Sequence, residues 1–190
     1  WSLKRPIILT SEETNDYKIK DSIQTLKKSK KYLDSIDKKD NKFKITDVLL
    51  GYTYKNSHKK SSLNFPSILL GTSFNTVQGW VPTLKGSYFI RDEEKGSSLS
   101  ITSKINYGLS EKKWRGTGSI SYLFNSISKP YLTIYGGQKV TQFNEQEPIS
   151  PLINSISTLF FENNFAKFYD KTFAKVSFSN ELVNGIRAYG

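Results

Sequence analysis

The sequence predicts a mainly β protein: an antiparallel meander of a transmembrane outer-membrane β-barrel, with an N-terminal helical segment and one helical insertion. Three observations predict it. First, residues alternate with a period of two, most clearly over 98–108, SLSITSKINYG. Leu99, Ile101, Ile105 and Tyr107 fall on one side, where only Ser103 breaks the apolar row; Ser98, Ser100, Thr102, Lys104 and Asn106 fall on the other. Such a period means a strand with one dry and one wet face. Second, the alternating runs reach about ten residues and are joined by short polar turns. That exceeds the ~5–6 residues of ordinary strands and matches the ~9–11 that cross a bilayer at a tilt. Third, the dry faces carry Gly86, Gly116, Gly118 and Gly136, where a protein core needs bulk, while aromatics gather near strand ends. Alternation alone leaves core and lipid open as neighbours of the dry face. The glycines and the aromatic girdles favour lipid.

The elements follow in order. Residues 1–9 read as an extended lead-in. Thr10 and Glu13 match a capping box, and a helix over 11–28 follows, with acids early and lysines late, as the helix dipole favours. Ile19, Ile23 and Leu26 have helical spacing, with Tyr17 beside them. A second helical turn covers 29–38, with Tyr32, Leu33 and Ile36. Strands are expected at 46–55, at 62–75 with an irregularity at Pro66, and at 77–92, 98–108, 114–125 and 131–143. A helix is expected over 147–171, with Pro151 in its first turn and Ile153, Ile156, Leu159, Phe160 and Asn163 at helical spacing, Phe165 and Phe168 beyond. Strands resume at 172–180 and 181–190. The organisation is therefore an N-terminal part (1–45), a β-meander (46–146), the helical insertion (147–171) and further strands (172–190), the last expected to be unfinished.

Facing follows from the alternation. Leu84, Leu99, Ile101, Ile105, Ile120 and Tyr122 are expected to face lipid. Trp80, Tyr88, Tyr107, Trp114 and Phe124 are expected at the membrane interfaces. Lys85, Thr102, Lys104, Arg115 and Ser119 are expected to face a hydrated lumen.

Composition narrows the function classes. The net charge is +11, most of it from lysine. Arginine, the better reader of base edges, occurs only at Arg5, Arg91, Arg115 and Arg187, so no nucleic-acid partner is expected. The absence of cysteine excludes disulfides, thiolate metal sites and thiol catalysis. His58 stands alone in a polar connection, so no metal and no cofactor are expected. No apolar run of about 18 residues predicts a transmembrane helix, and residues 1–10 do not read as a signal peptide. Candidate chemistry is thin. The acids at 92–94 sit in a turn. Asp34 and Asp37 are explained by capping or solvation. Ser57 and His58 adjoin without an orienting acid. The expectation is a chain with no enzymatic activity.

The segments RPIILTSEETNDYKIKDSI, YLDSIDKKDNKFK, LLGYTYKNSHKK, FNTVQGW and ISPLINSISTLFFENNFAKFYDKTF occur in that order over essentially the whole chain. Together they resemble a Bacteroidetes outer-membrane family in which a carboxypeptidase-like regulatory domain precedes a barrel domain, domain of unknown function 5686. The resemblance implies a bacterial outer-membrane location and a chain that is an internal piece of a longer protein. It supplies no catalytic residues. The partners it implies are outer-membrane lipid and lipopolysaccharide, with other outer-membrane barrels or lipoproteins as further candidates. The expected role is structural or transport-related, as a barrel subunit or accessory component of an envelope assembly. The alternative is a soluble, basic, β-rich module that binds an anionic polymer.

Overall fold

A computed structural model describes residues 9–144, 146, 148–183 and 185–190. The expected lead-in lies outside them apart from Leu9. Helix α1 (Ser11–Lys28) opens on the anticipated capping box. The Glu13 N–H donates to Thr10 Oγ1 at 3.2 Å, and the Thr10 N–H donates to Glu13 Oε2 at 3.0 Å. Ser29 closes α1 and also caps α2 (Lys30–Asp40), which sets the two helices end to end across one extended residue. The apolar side of α1 is bare: Tyr17, Ile19, Ile23 and Leu26 are all exposed.

Eight antiparallel strands form one sheet in the order β1 (Gly51–Asn56), β2 (Ser61–Pro66), β5 (Thr83–Asp92), β6 (Ser97–Gly108), β7 (Lys113–Leu123), β8 (Tyr131–Gln142), β9 (Phe168–Val183) and β10 (Ile186–Tyr189). Each strand pairs with the next in that order, and β1 and β10 do not pair with each other among the described residues. The sheet is thus an open meander. Three of its turns share one local design. An Asn or Asp carboxamide or carboxylate accepts backbone N–H groups two or three residues ahead: Asn56 from Lys59, Asp92 from Glu94 and Lys95, Asn125 from Ile127 and Ser128. The fourth residue after each, Lys60, Gly96 or Lys129, takes a positive φ of 50°, 62° or 48° that feeds the next strand.

The structure corrects several expected boundaries. The 46–55 strand begins with a helical turn, α3 (Asp47–Leu50), before β1. The expected strand over 62–75 divides at Pro66 into β2, a turn of helix α4 (Ile68–Gly71) and β3 (Ser73–Asn75). Proline has no N–H for the ladder, so β2 stops there. The Ser67 hydroxyl caps α4 and also bonds the Leu49 carbonyl, which ties the two helical turns together. The 77–92 strand divides at Pro82 into β4 (Gly79–Val81), which pairs with β3, and β5. The backbone nevertheless runs on beside β6: the Tyr107 N–H donates to the Pro82 carbonyl and the Leu109 N–H to the Trp80 carbonyl.

The insertion is also shorter than expected. Helix α5 (Pro151–Phe161) has Pro151 in its first turn and ends at Glu162, which is left-handed at φ 56°. Phe165 lies beyond the helix, and Phe168–Lys171 belong to β9, which starts earlier and ends later than the expected 172–180 strand, so that the last strand, β10, is shortened to Ile186–Tyr189. The helical spacing of Phe165 and Phe168 is coincidental, because the backbone has already reversed at Glu162.

Little apolar surface is buried. Among the described residues only Val81 and Ala166 are buried hydrophobic residues, and the most completely buried large side chain is that of Asn154. The accessible surface is 14448 Å2 for 21.7 kDa, whereas a compact monomer of that mass exposes roughly 9,200 Å2. The apolar side chains are present, but they point outwards.

Candidate functional site

Cross-strand register turns the single-strand alternation into rows that cross the sheet. On one face, Tyr54, Leu63, Tyr88, Ile101, Ile120, Ile134 and Val176 lie in one row over seven strands. A parallel row holds Ile90, Leu99, Tyr122, Leu132 and Phe178, and a third holds Leu84, Ile105 and Gly116. Leu84, Ile101, Ile105, Ile120, Ile134, Val176 and Phe178 are exposed. The sheet therefore brings all six expected lipid-facing residues onto one face.

Aromatics mark both ends of this face. Tyr107 and Trp114 stack with ring centroids 4.8 Å apart, and Trp80 lies on the same end, one ladder step past Pro82. Trp80 belongs to the β3–β4 hairpin, where it packs edge-on against Phe74 at 5.5 Å. Tyr122 and Phe124 meet edge-on at 4.7 Å at the other end. Tyr88 departs from its expected place, because its row runs through the middle of the face. Ser103, the break in the apolar run, also acquires a reason. It lies in a transverse row of small residues, Gly86, Ser103, Gly118, Gly136 and Ala174. The Phe65 ring lies over this row, with Cε1 3.4 Å from where a Gly86 Cβ would be.

The opposite face is hydroxyl-rich. Thr53, Asn64, Ser87, Thr102, Ser119 and Tyr135 form one row. Cross-strand hydrogen bonds link Asn64 to Thr53 at 2.6 Å, Thr102 to Ser119 at 2.7 Å and Ser121 to Thr133 at 3.1 Å. The next row begins with Lys85 directly opposite Lys104 and continues through Thr117 and Gly137 to Phe173. Lys139 places its Nζ 5.4 Å from the centroid of the Phe173 ring, a cation–π arrangement.

Arg115 is held differently from the other residues expected at the lumen. It is 4% exposed. Its guanidinium bonds Glu111 Oε2 at 2.6 Å and both carboxylate oxygens of Asp170 at 3.1 Å. Lys113 and Gln138 reach the same Asp170 at 2.8 and 3.0 Å. The cluster links β7 to β9 across β8. Nearby in β8, Gly137 has a φ of 133°, and a Cβ there would collide with the Gly116 carbonyl of β7.

The smaller elements sit over one end of the polar face. α4, the β3–β4 hairpin, α5, Lys85, Lys104 and Asn106 enclose a cavity of about 480 Å3. The packing of α5 on the hairpin is polar. Ser155 Oγ accepts the Phe74 N–H at 2.9 Å; the Asn154 amide donates to Asn164 Oδ1 at 3.2 Å and accepts the Ala166 N–H. Asn164 donates in turn to Thr76 Oγ1 at 2.8 Å. The apolar residues of α5, including Ile153, Ile156, Leu159 and Phe160, are exposed. α5 thus turns polar groups towards the hairpin and apolar groups outwards, and the smaller elements cover one end of the sheet's polar face while its aliphatic rows stay uncovered.

Asp37 corrects the reading of its carboxylate as a cap or a solvated group. It is buried, and it accepts the Ser57 N–H at 2.7 Å and the Ser57 hydroxyl at 2.6 Å. Asn41, in the same helical segment, exchanges two hydrogen bonds with the Lys55 backbone. Together they fasten α2 to the β1 edge. Among the described residues no group of His, Cys, Asp and Glu is arranged to hold a metal ion, and no helix is long and apolar enough to cross a membrane.

No curated protein and no solved structure matches the chain. Residues 46–190, which begin at α3 and include the whole sheet, match the family model described as family of unknown function (DUF5686) C-terminal domain. The chain belongs to the DUF5686 family, and residues 46–190 are its C-terminal domain.

Proposed function

We propose that this chain supplies eight strands of a transmembrane β-barrel in a bacterial outer membrane, where it serves a structural or transport-related role in an envelope assembly. The observation that carries the reading is the inverted burial. The aliphatic face of the sheet is bare, the smaller elements cover part of the polar face, and only two apolar residues are buried among those described. In water such a sheet would leave its main apolar surface unburied. In a bilayer the same surface is solvated by lipid chains, and the backbone is satisfied by the ladder. The five strands β5 to β9, of 10 to 16 residues, are long enough to span a hydrocarbon core of about 30 Å. The aromatic ends fall where headgroups would lie, and α5 presents its exposed apolar residues at the Trp80 end, as an interfacial helix does.

On this reading the hydroxyl ladder and the lysines face a hydrated lumen, and barrel closure requires strands or partners beyond β1 and β10. Lipid, lipopolysaccharide and neighbouring barrels or lipoproteins are the expected surroundings, in a Bacteroidetes-type protein with a carboxypeptidase-like domain elsewhere in its sequence. The role calls for no catalytic residue. A soluble module binding an anionic polymer fits the net charge but leaves the bare aliphatic rows without a partner.

The test is fractionation of the full-length protein. It should sediment with membranes, resist alkaline carbonate extraction, and enter solution only with detergent. Recovery as a soluble, monodisperse protein after detergent-free lysis would overturn the proposal.

A further inference from the structure

The cavity beneath the β3–β4 hairpin has an unusual wall. Among the described residues its charged lining consists of Lys85 and Lys104, with no acid. The remaining polar lining includes the amides of Asn106, Asn75 and Gln142 and the hydroxyl of Thr83. Lys85 and Lys104 are direct cross-strand partners. Like charges placed so are destabilising, because their Cβ atoms sit only about 5 Å apart. None of the ion pairs among the described residues involves Lys85, Lys104 or Lys139. Glu111 and Asp170 are taken up by Arg115 and Lys113. Among the described residues this cationic pair is therefore uncompensated, at the mouth of a cavity of about 480 Å3, within the range of small-molecule sites.

We propose that this cavity binds a small oxyanion-bearing solute, such as a phosphate ester, which lies between the Lys85 and Lys104 ammonium groups with its uncharged part under the hairpin. Two ammonium groups converging on one oxyanion form charge-assisted hydrogen bonds that neither lysine makes within the protein. The ligand also removes the repulsion between the pair, so binding and stability are linked. This deepens the barrel reading, and it rests on that reading for the orientation of the cavity towards the lumen.

The experiment uses the full-length protein in detergent, titrated with inorganic phosphate and followed by calorimetry and by thermal unfolding. Phosphate should bind saturably and raise the unfolding midpoint. The Lys85→Gln/Lys104→Gln double variant should bind at least about tenfold more weakly. Without phosphate it should be no less stable than the wild type, because the repulsion has gone. Lys85→Arg/Lys104→Arg should keep the binding, and Lys20→Gln on α1 should leave it unchanged. Absence of saturable binding by the wild type would overturn the proposal, as would equal binding by the glutamine variant. If that variant fails to fold, equal binding by single Lys85→Gln and Lys104→Gln variants would overturn it equally. The readout is independent of location. A soluble protein that binds phosphate would defeat the barrel reading alone, and a membrane-embedded protein that does not bind would defeat this inference alone.

Discussion

Replacing Ile120 with lysine tests the facing of the sheet, and the neighbouring Ser119→Lys is its internal control. Ile120 lies in the row of Tyr88, Ile101, Ile134 and Val176 and is 49% exposed. Its neighbours thus cover about half of the side chain. Losing that half of an isoleucine's burial costs roughly 1 kcal/mol in any surroundings. If the rest faces hydrocarbon near mid-strand, the lysine adds about 2–4 kcal/mol. Ser119→Lys sacrifices the 2.7 Å bond to Thr102, worth about 1 kcal/mol, and places its charge in water. The excess of Ile120→Lys over Ser119→Lys is therefore about 2–4 kcal/mol, between about thirtyfold and a thousandfold in the folding constant. Urea unfolding of the full-length protein in phosphatidylcholine vesicles, followed by tryptophan fluorescence, measures both. Equal costs on the two faces would refute the reasoning, because an aqueous setting predicts about 1 kcal/mol for each.

Gly137→Ala should destabilise by more than about 2 kcal/mol, since the new Cβ meets the Gly116 carbonyl at a φ of 133°. Gly185→Ala, at φ 88° with nothing within 4 Å, should cost only the backbone strain of about 1–2 kcal/mol; urea midpoints compare the two. Arg115→Ala leaves Glu111 without its partner and should cost about 3 kcal/mol. Lys113→Ala removes an exposed contact to Asp170 and should cost under about 1 kcal/mol in the same assay. Asp37→Asn leaves one acceptor for two Ser57 donors and should cost about 1–3 kcal/mol locally. Limited proteolysis should then cut faster between α1 and β1, with the sheet still protected.

The long strands were the legible part of this sequence, because β5, β6, β7 and β8 carry their pattern within themselves. Alternation from Leu99 to Tyr107 needs no knowledge of neighbours. The turn at Asn125 is visible as an Asx residue between two such runs. The 67–82 region was not legible as an excursion. Pro66 and Pro82 interrupt the ladder, but the three-residue strands between them are too short to show a period. The end of α5 is not legible in the sequence, because Phe165 and Phe168 continue a helical spacing that Glu162 has already ended. The functional groups missed by sequence reasoning are those defined by distant partners. Asp37 meets Ser57 20 positions away, and Arg115 meets Asp170 55 positions away. Asn154 and Ser155 are buried through the hairpin and the 162–167 connection. Nothing local distinguishes these side chains from solvated ones. Ser103 belongs to the same class, since its row of small residues exists only once the register across five strands is known.

The most direct measurement of the central claim is the collision accessibility of spin labels on adjacent residues. The chain contains no cysteine, so single cysteines introduced at 119, 120, 101 and 102 can each be labelled without a background. In lipid vesicles the labels at 120 and 101 should collide preferentially with oxygen, which partitions into hydrocarbon. Those at 119 and 102 should collide preferentially with a water-soluble nickel chelate. Nickel accessibility at all four positions, with no alternation between neighbours, would contradict a lipid-facing sheet.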